Sequence, residues 1–256
     1  MAAVLSTNMA SLYAQKNLST AQASLSASVQ RLSSGTRINS AKDDAAGYGI
    51  SEQIKGNKNI VDQNIRNIKD GISWAQTAEG ALDVVGKILQ RALTLTTQAQ
   101  DATLSTDQTD SIADELTALA AEVDNIKART KFQDDSVFVT ASLAVETGAD
   151  ATTDIDATMI DSADITSNVL ADVQALITEN ANNRAALGAG LNSLEYALDN
   201  MQTLSNNMAD SISRIVDTDY AAETSNLTRT QILQQAATSM LAQANQMPNV
   251  ILTLLK

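Results

Sequence analysis

No cysteine and no histidine occur anywhere in this chain of 256 residues. The first absence removes disulfide staples and thiol chemistry, and suits either a reducing cytosol or a protein that leaves the cell without risk of cross-linking. The second removes the commonest metal ligand and the commonest general base. Aromatic residues make up only 3% of the chain and there is a single proline, so a compact globular core is not the natural reading. No stretch approaches the apolar length of a membrane span. The start, "MAAVLSTNMASLYAQKNLS", lacks a basic segment followed by an unbroken apolar run, so no cleavable signal peptide is expected and any export would use another route. Basic charge is scarce too: the net charge is −13, and residues 141–256 carry 4 basic against 14 acidic side chains. Nucleic acid is a poor partner for such a surface, because phosphate neutralisation needs clustered Lys and Arg.

What the chain has is hydrophobic spacing. From Val61 the steps of four and three run through Ile65, Ile68, Ile72 and Ala75, then after a one-residue shift through Ala78, Leu82, Val85, Leu89 and Ala92. Ile112, Leu116, Leu119, Val123 and Ile126 form a second such series, and Leu187, Leu191, Leu194, Leu198 and Met201, extended by Met208, Ile212 and Ile215, a third. This is the pattern of helices that keep one seam against partner helices. A helix from 165 to 214 would be about 75 Å long, a rod rather than a globular helix. Between the helical halves, residues 132–164 show β-branched alternation and Asp-rich turns, which predict a small hairpin or two folded against the end of the rod. The fold class read from these patterns is mainly α: an elongated antiparallel helical hairpin or coiled-coil rod with a small β/loop tip.

The two ends are unusual. Residues 1–30 contain one charged side chain, Lys16, and residues 230–256 contain only Lys256. Yet both keep a seam: Leu5, Leu12, Leu18, Leu25 and Leu32 at the start, and Leu233, Ala237, Met240, Ala244, Met247, Ile251 and Leu254 at the end. A membrane-surface helix would display Lys or Arg on its polar face, which these do not. Ordering the roughly 67 residues of the two ends costs about 1–2 kcal/mol each in backbone entropy, and a fully buried Leu, Ile or Met returns only about 1.5–3 kcal/mol. The ends hold too few such residues to fold on each other alone. They are expected to order when many copies bury them together, which makes the chain a subunit of a helical assembly with no membrane insertion.

Candidate chemistry is thin. A calcium loop starting at Asp217 would need an acid or amide at 221, Gly at 222 and Glu at 228, where the chain has Ala221, Ala222 and Thr228. Asp43 and Asp44 read as the start of a helix, with Ser40 as N-cap and Asp43 in the first turn. Gly47-Tyr-Gly49 lacks a preceding strand and a third glycine. The acceptor patterns at Asn17 and Asn226 fall in segments expected to be packed. Nothing supports catalysis, a metal or a cofactor.

Three long motifs carry a family resemblance: "LSSGTRINSAKDDAAG" at 32–47, "KDGISWAQTAEGAL" at 69–82 and "NLTRTQILQQAATSMLAQANQMP" at 226–248. They closely resemble bacterial flagellin, over residues 1–131 and about 165–256, with a short middle stretch where the family carries outer variable domains. The resemblance implies a secreted, extracellular subunit of the flagellar filament that serves motility. Residues 1–32 and 222–256 would form an inner tube of coiled helices; 47–131 and 165–213 the rod helices; 132–164 the variable region. Residues 33–46, with Ser33, Ser34, Gly35, Arg37, Asn39, Ser40, Asp43 and Asp44, would be a linker paired with a return linker at 214–221. The implied partners are many copies of the chain itself, the flagellar secretion apparatus, an export chaperone, and hook-associated and cap proteins. Some members bind Toll-like receptor 5 through an Arg, a Leu and a Glu; Arg91, Leu95 and Glu115 stand at those positions, while Leu93 and Thr94 stand where the family often carries Arg and Glu. The hook–filament junction protein, a relative in the same class, normally departs from the first and third motifs. A zinc-protease insert, which some flagellins carry, needs H-E-x-x-H and is excluded by the lack of histidine.

Overall fold

A computed structural model describes residues 8–138, 142–148, 151–167 and 169–254, with side chains up to residue 247. Five helices dominate it: α1 (Met9–Ser34), α2 (Ala45–Ala99), α3 (Thr106–Arg129), α4 (Leu170–Val216) and α5 (Tyr220–Leu254). Four short strands, β1 (Lys131–Phe132), β2 (Asp135–Ser136), β3 (Ser142–Glu146) and β4 (Thr152–Asp156), make two antiparallel hairpins, β1–β2 and β3–β4. The chain divides into two compact units, residues 1–56 with 208–256, and residues 57–207.

Unit 57–207 owns the large apolar core. The α2 series Ile68, Ala75, Ala78, Leu82, Val85, Leu89 and Ala92 is completely buried, along the strip that the spacing predicts. It packs in one cluster with Leu116 and Val123 of α3 and with Leu187 and Leu194 of α4. Polar contacts fix the register of α4 on α2. Asn180 Nδ2 donates to the Leu82 carbonyl at 3.2 Å, and Arg184 bridges Glu79 and Asp83 at 2.6 and 3.2 Å. Ser205 Oγ donates to Asp62, whose carboxyl lies below its usual range because of the Lys58 hydrogen bond and then the Ser205 hydroxyl.

The small β segment packs into the helical core. Val145 of β3 and Ile155 of β4 belong to the same core cluster as the helices. The hairpin lies against Gly71 of α2 and Gly190 of α4, well inside those helices rather than at their ends. A Cβ at Gly71 would sit 2.7 Å from Val145 Cγ2, so hydrogen there lets the strand approach. Ile165, expected in the first turn of the long C-terminal helix, sits instead in a 3-10 helix, Ser162–Ser167, fully buried in the cluster that also holds α3. The long helix therefore starts at Leu170 and its 47 residues span about 70 Å.

Leu82→Ala should lower the stability of this unit by about 2–5 kcal/mol, because the cavity opens between packed helices. A urea titration read by the single tryptophan, Trp74, which is buried in this core, measures it. A loss below about 1 kcal/mol would contradict the packing described.

Candidate assembly surface

In unit 1–56 with 208–256, α1 and α5 lie antiparallel. Asn8 Nδ2 donates to the Ala244 carbonyl at 2.7 Å, and Ser11 Oγ to Asn245 Oδ1 at 2.9 Å. The α1 strip turned inward is Ala14, Leu18, Ala21, Leu25, Ser28 and Leu32, in steps of four and three. Its α5 counterpart is Glu223, Leu227, Thr230, Gln234, Ala237, Leu241 and Ala244. Only Ala14, Ala21, Ser28, Glu223 and Ala244 of these are fully buried, so small and polar side chains form the closest contact. Glu223 is paired with Arg31 at 3.7 Å.

The seam expected from the sequence is thus divided. Leu18, Leu25, Leu32, Ala237 and Ala244 fall on the strip shared by the two helices. Leu12, Leu233, Met240 and Met247 do not; they stand exposed. Leu5 lies outside the described residues, as do the side chains of Ile251 and Leu254. The displaced residues are not scattered. Leu233, Met240 and Met247 of α5 line an open groove of about 860 Å³ whose other wall is Tyr13, Asn17 and Ala21 of α1. Among the described residues, eleven of the fifteen large apolar side chains that stand exposed belong to this unit. Sequence spacing misses Tyr13 and the inward strip of Ala14, Ala21 and Ser28. The signal is there, since these three recur every seven residues, but alanine and serine carry little weight in a hydrophobic pattern.

The two linkers between these helices meet as a short antiparallel bridge, Thr36 with Asp217. Arg37 N–H donates to the Val216 carbonyl at 2.6 Å, its guanidinium to the Ile215 carbonyl at 2.7 Å, and Thr218 N–H to the Gly35 carbonyl at 3.0 Å. Ser33 and Ser34 belong to the last turn of α1, and Gly35 ends that helix in the left-handed region at φ +73°, its N–H bonded to the Arg31 carbonyl. Ser40 is not the N-cap expected. Asp43 Oδ2 instead accepts from the backbone N–H of Asn39 and Ser40 and from the Ser40 hydroxyl, closing a polar turn. The helix starts five residues later, at Ala45, capped by Asp44, whose Oδ1 accepts from Gly47 N–H at 2.9 Å. The return linker is also shorter than expected, residues 217–219. Asp219 Oδ1 takes the N–H groups of Ala221 and Ala222 and so begins α5 at Tyr220.

Arg91 and Glu115 form an exposed ion pair at 2.7 Å between α2 and α3. Leu95 does not join them at the surface. It lies one turn along α2 on the core side, 2% exposed and packed in the cluster that holds Ile112 and Leu116.

Residues 5–143 match the bacterial flagellin N-terminal helical region, and residues 170–255 match the bacterial flagellin C-terminal helical region. The chain belongs to the bacterial flagellin family. It is 37% identical over 272 residues to the flagellin of Halalkalibacterium halodurans, covering 99% of this chain and all of that protein. To the flagellin of Bacillus subtilis it is 36% identical over 299 residues, covering 97% and 98%. The crystal structure of Bacillus cereus flagellin overlaps 57% of this chain and 94% of its own, at 26% identity and a TM-score of 0.47. As a flagellin, the chain is a structural subunit of the flagellar filament and not an enzyme.

The Asp43 carboxyl is held below its usual 3.8 by the Ser40 backbone N–H, then that of Asn39, then the Ser40 hydroxyl. A lowered folded-state value means that the turn is fully stabilised above the ordinary carboxylate range and weakens as pH falls through the lowered value. The amide resonances of Asn39 and Ser40 should therefore shift together with a midpoint below pH 3.8, and Asp43→Asn should abolish the step. A midpoint at or above 3.8 would contradict the geometry. Gly35→Ala, which forces a left-handed residue and puts a Cβ 3.2 Å from the Tyr220 hydroxyl, should weaken the α1–α5 pair by about 1–2 kcal/mol, read as a lower melting temperature of assembled filaments.

Proposed function

We propose that the groove and exposed flank of α1 and α5 are the surface through which filament subunits polymerise, with these helices forming the inner layer of the filament. The observation that supports this is the pairing of two features. Leu233, Met240 and Met247 stand exposed in line, and residues 230–247 carry no charge to make that face soluble. A helix with an apolar stripe and an uncharged opposite face is adapted to burial on more than one side. Other copies of the chain offer the matching surface, because each carries the same stripe. Charge has the opposite effect: a subunit at −13 repels its neighbours, so assembly should respond to screening salt.

The same reading includes export through the flagellar secretion apparatus to an extracellular location. The lack of cysteine supports it, leaving nothing to cross-link in an oxidising medium. An export chaperone would cover the α5 flank before assembly.

Electron microscopy and sedimentation of the full-length protein under salting-out conditions test the surface. Leu233→Lys and Met240→Lys place a charge at positions exposed in the free subunit, so circular dichroism should be unchanged. Each should raise the critical concentration for filaments about 100-fold or more, the effect of burying an unpaired charge. Filaments formed by both variants at wild-type concentrations would refute the assignment.

A further inference from the structure

Among the described methionines, Met240 and Met247 share a distinctive setting. They are 63% and 58% exposed, and both line the α1–α5 groove. Seven residues apart on one helix, they stand two turns, about 10.5 Å, from each other on the same face. Met159 is buried and Met201 and Met208 are half-buried; Met9 is exposed but stands outside the groove. With no cysteine in the chain, thioether sulfur is the softest nucleophile available to an oxidant.

We infer that Met240 and Met247 are modification sites at which a two-electron oxidant such as hydrogen peroxide disables the free subunit for assembly. The inference rests on the proposed assembly surface. In the step, a sulfur lone pair attacks one peroxide oxygen and an S–O bond forms as the O–O bond breaks. The sulfur is oxidised by two electrons, and the second oxygen leaves as water after proton transfer. The product, a sulfoxide, is polar and branched where the thioether was apolar and flexible. It is tolerated while the groove is open to water. It is penalised when a neighbouring copy closes the groove, because a strongly polar sulfoxide must then leave water for a wall to which Ala10, Ala14, Ala21 and Leu233 contribute apolar surface, with Asn17, Thr20 and Gln243 among its polar members. Modification therefore acts on subunits before they assemble, and the assembled form shields its own thioethers.

The test treats the full-length subunit with hydrogen peroxide, maps sulfoxide by peptide mass spectrometry, and measures the critical concentration for filaments. Untreated protein must polymerise, which separates this inference from the assembly reading: failure there condemns the latter. Sulfoxide should appear at Met240 and Met247 ahead of Met159, and the critical concentration should rise about tenfold or more. The critical concentration of Met240→Leu/Met247→Leu, whatever its value before treatment, should not rise on treatment, despite oxidation of Met9. A second readout needs no variant: pre-formed filaments exposed to the same peroxide should show several-fold less sulfoxide at the two positions. The inference is overturned if oxidised wild type polymerises normally, if the leucine variant loses assembly on treatment, or if filaments and free subunits oxidise equally at both sites.

Discussion

Everything distinctive in the terminal unit follows from the contact between α1 and α5, where half-buried leucines alternate with buried alanine and serine and with threonine and glutamine. Ala14, Ala21, Ala237 and Ala244 let the two helices approach closely, but an alanine removes little apolar area from water. Larger side chains that could have stabilised the pair, Leu12, Leu233, Met240 and Met247, stand more than half exposed instead. The pair is held in register by hydrogen bonds at its end, Asn8 to Ala244 and Ser11 to Asn245, and by the Arg31–Glu223 ion pair. The two hydrogen bonds set geometry more than they add stability, since exposed or half-exposed polar pairs contribute little net free energy. The core of unit 57–207 is the reverse case. Ile68, Leu82, Leu89, Leu116, Leu187 and Leu194 are fully buried there, and no further partner is needed to remove them from water.

The linkers explain the dense polar motif between the first two helices. Gly35 ends α1, and Arg37 reaches the carbonyls of Ile215 and Val216. Asn39, Ser40 and Asp43 close a turn, and Asp44 caps α2. The carboxylates of Asp43, Asp44 and Asp219 are occupied with N–H groups rather than grouped around a cation. A chain that must leave one helix and start another within ten residues exposes many unpaired backbone groups, and this motif pairs them.

Helix identity and the core strip of α2 are legible from spacing because large β-branched and leucine side chains mark them without ambiguity. Which strip of α5 meets α1 is not. Two series, one through Leu233, Met240 and Met247 and one through Leu227, Leu241 and the small residues between, run side by side around the helix. Spacing selects the more hydrophobic series, whereas the fold of one chain selects the closer-packing one and leaves the other outside. Leu95 differs from Arg91 and Glu115 in setting: its phase on α2 is that of the core. Ser40 reads as an N-cap from sequence because serine before a helix commonly caps it. Asp43 offers its carboxylate to Ser40 instead, and only three-dimensional geometry decides between the two.

The central claim is that the α1–α5 pair is completed by other copies of the chain while unit 57–207 is complete by itself. Hydrogen–deuterium exchange of free subunits and of filaments, resolved by peptide, tests it directly. The expected result is fast exchange in residues 9–34 and 220–254 of the free subunit, strong protection of both in the filament, and equal protection of the Ile68–Leu95 and Leu187–Leu194 segments in the two forms. Equal, strong protection of the terminal helices in free subunit and filament would contradict it.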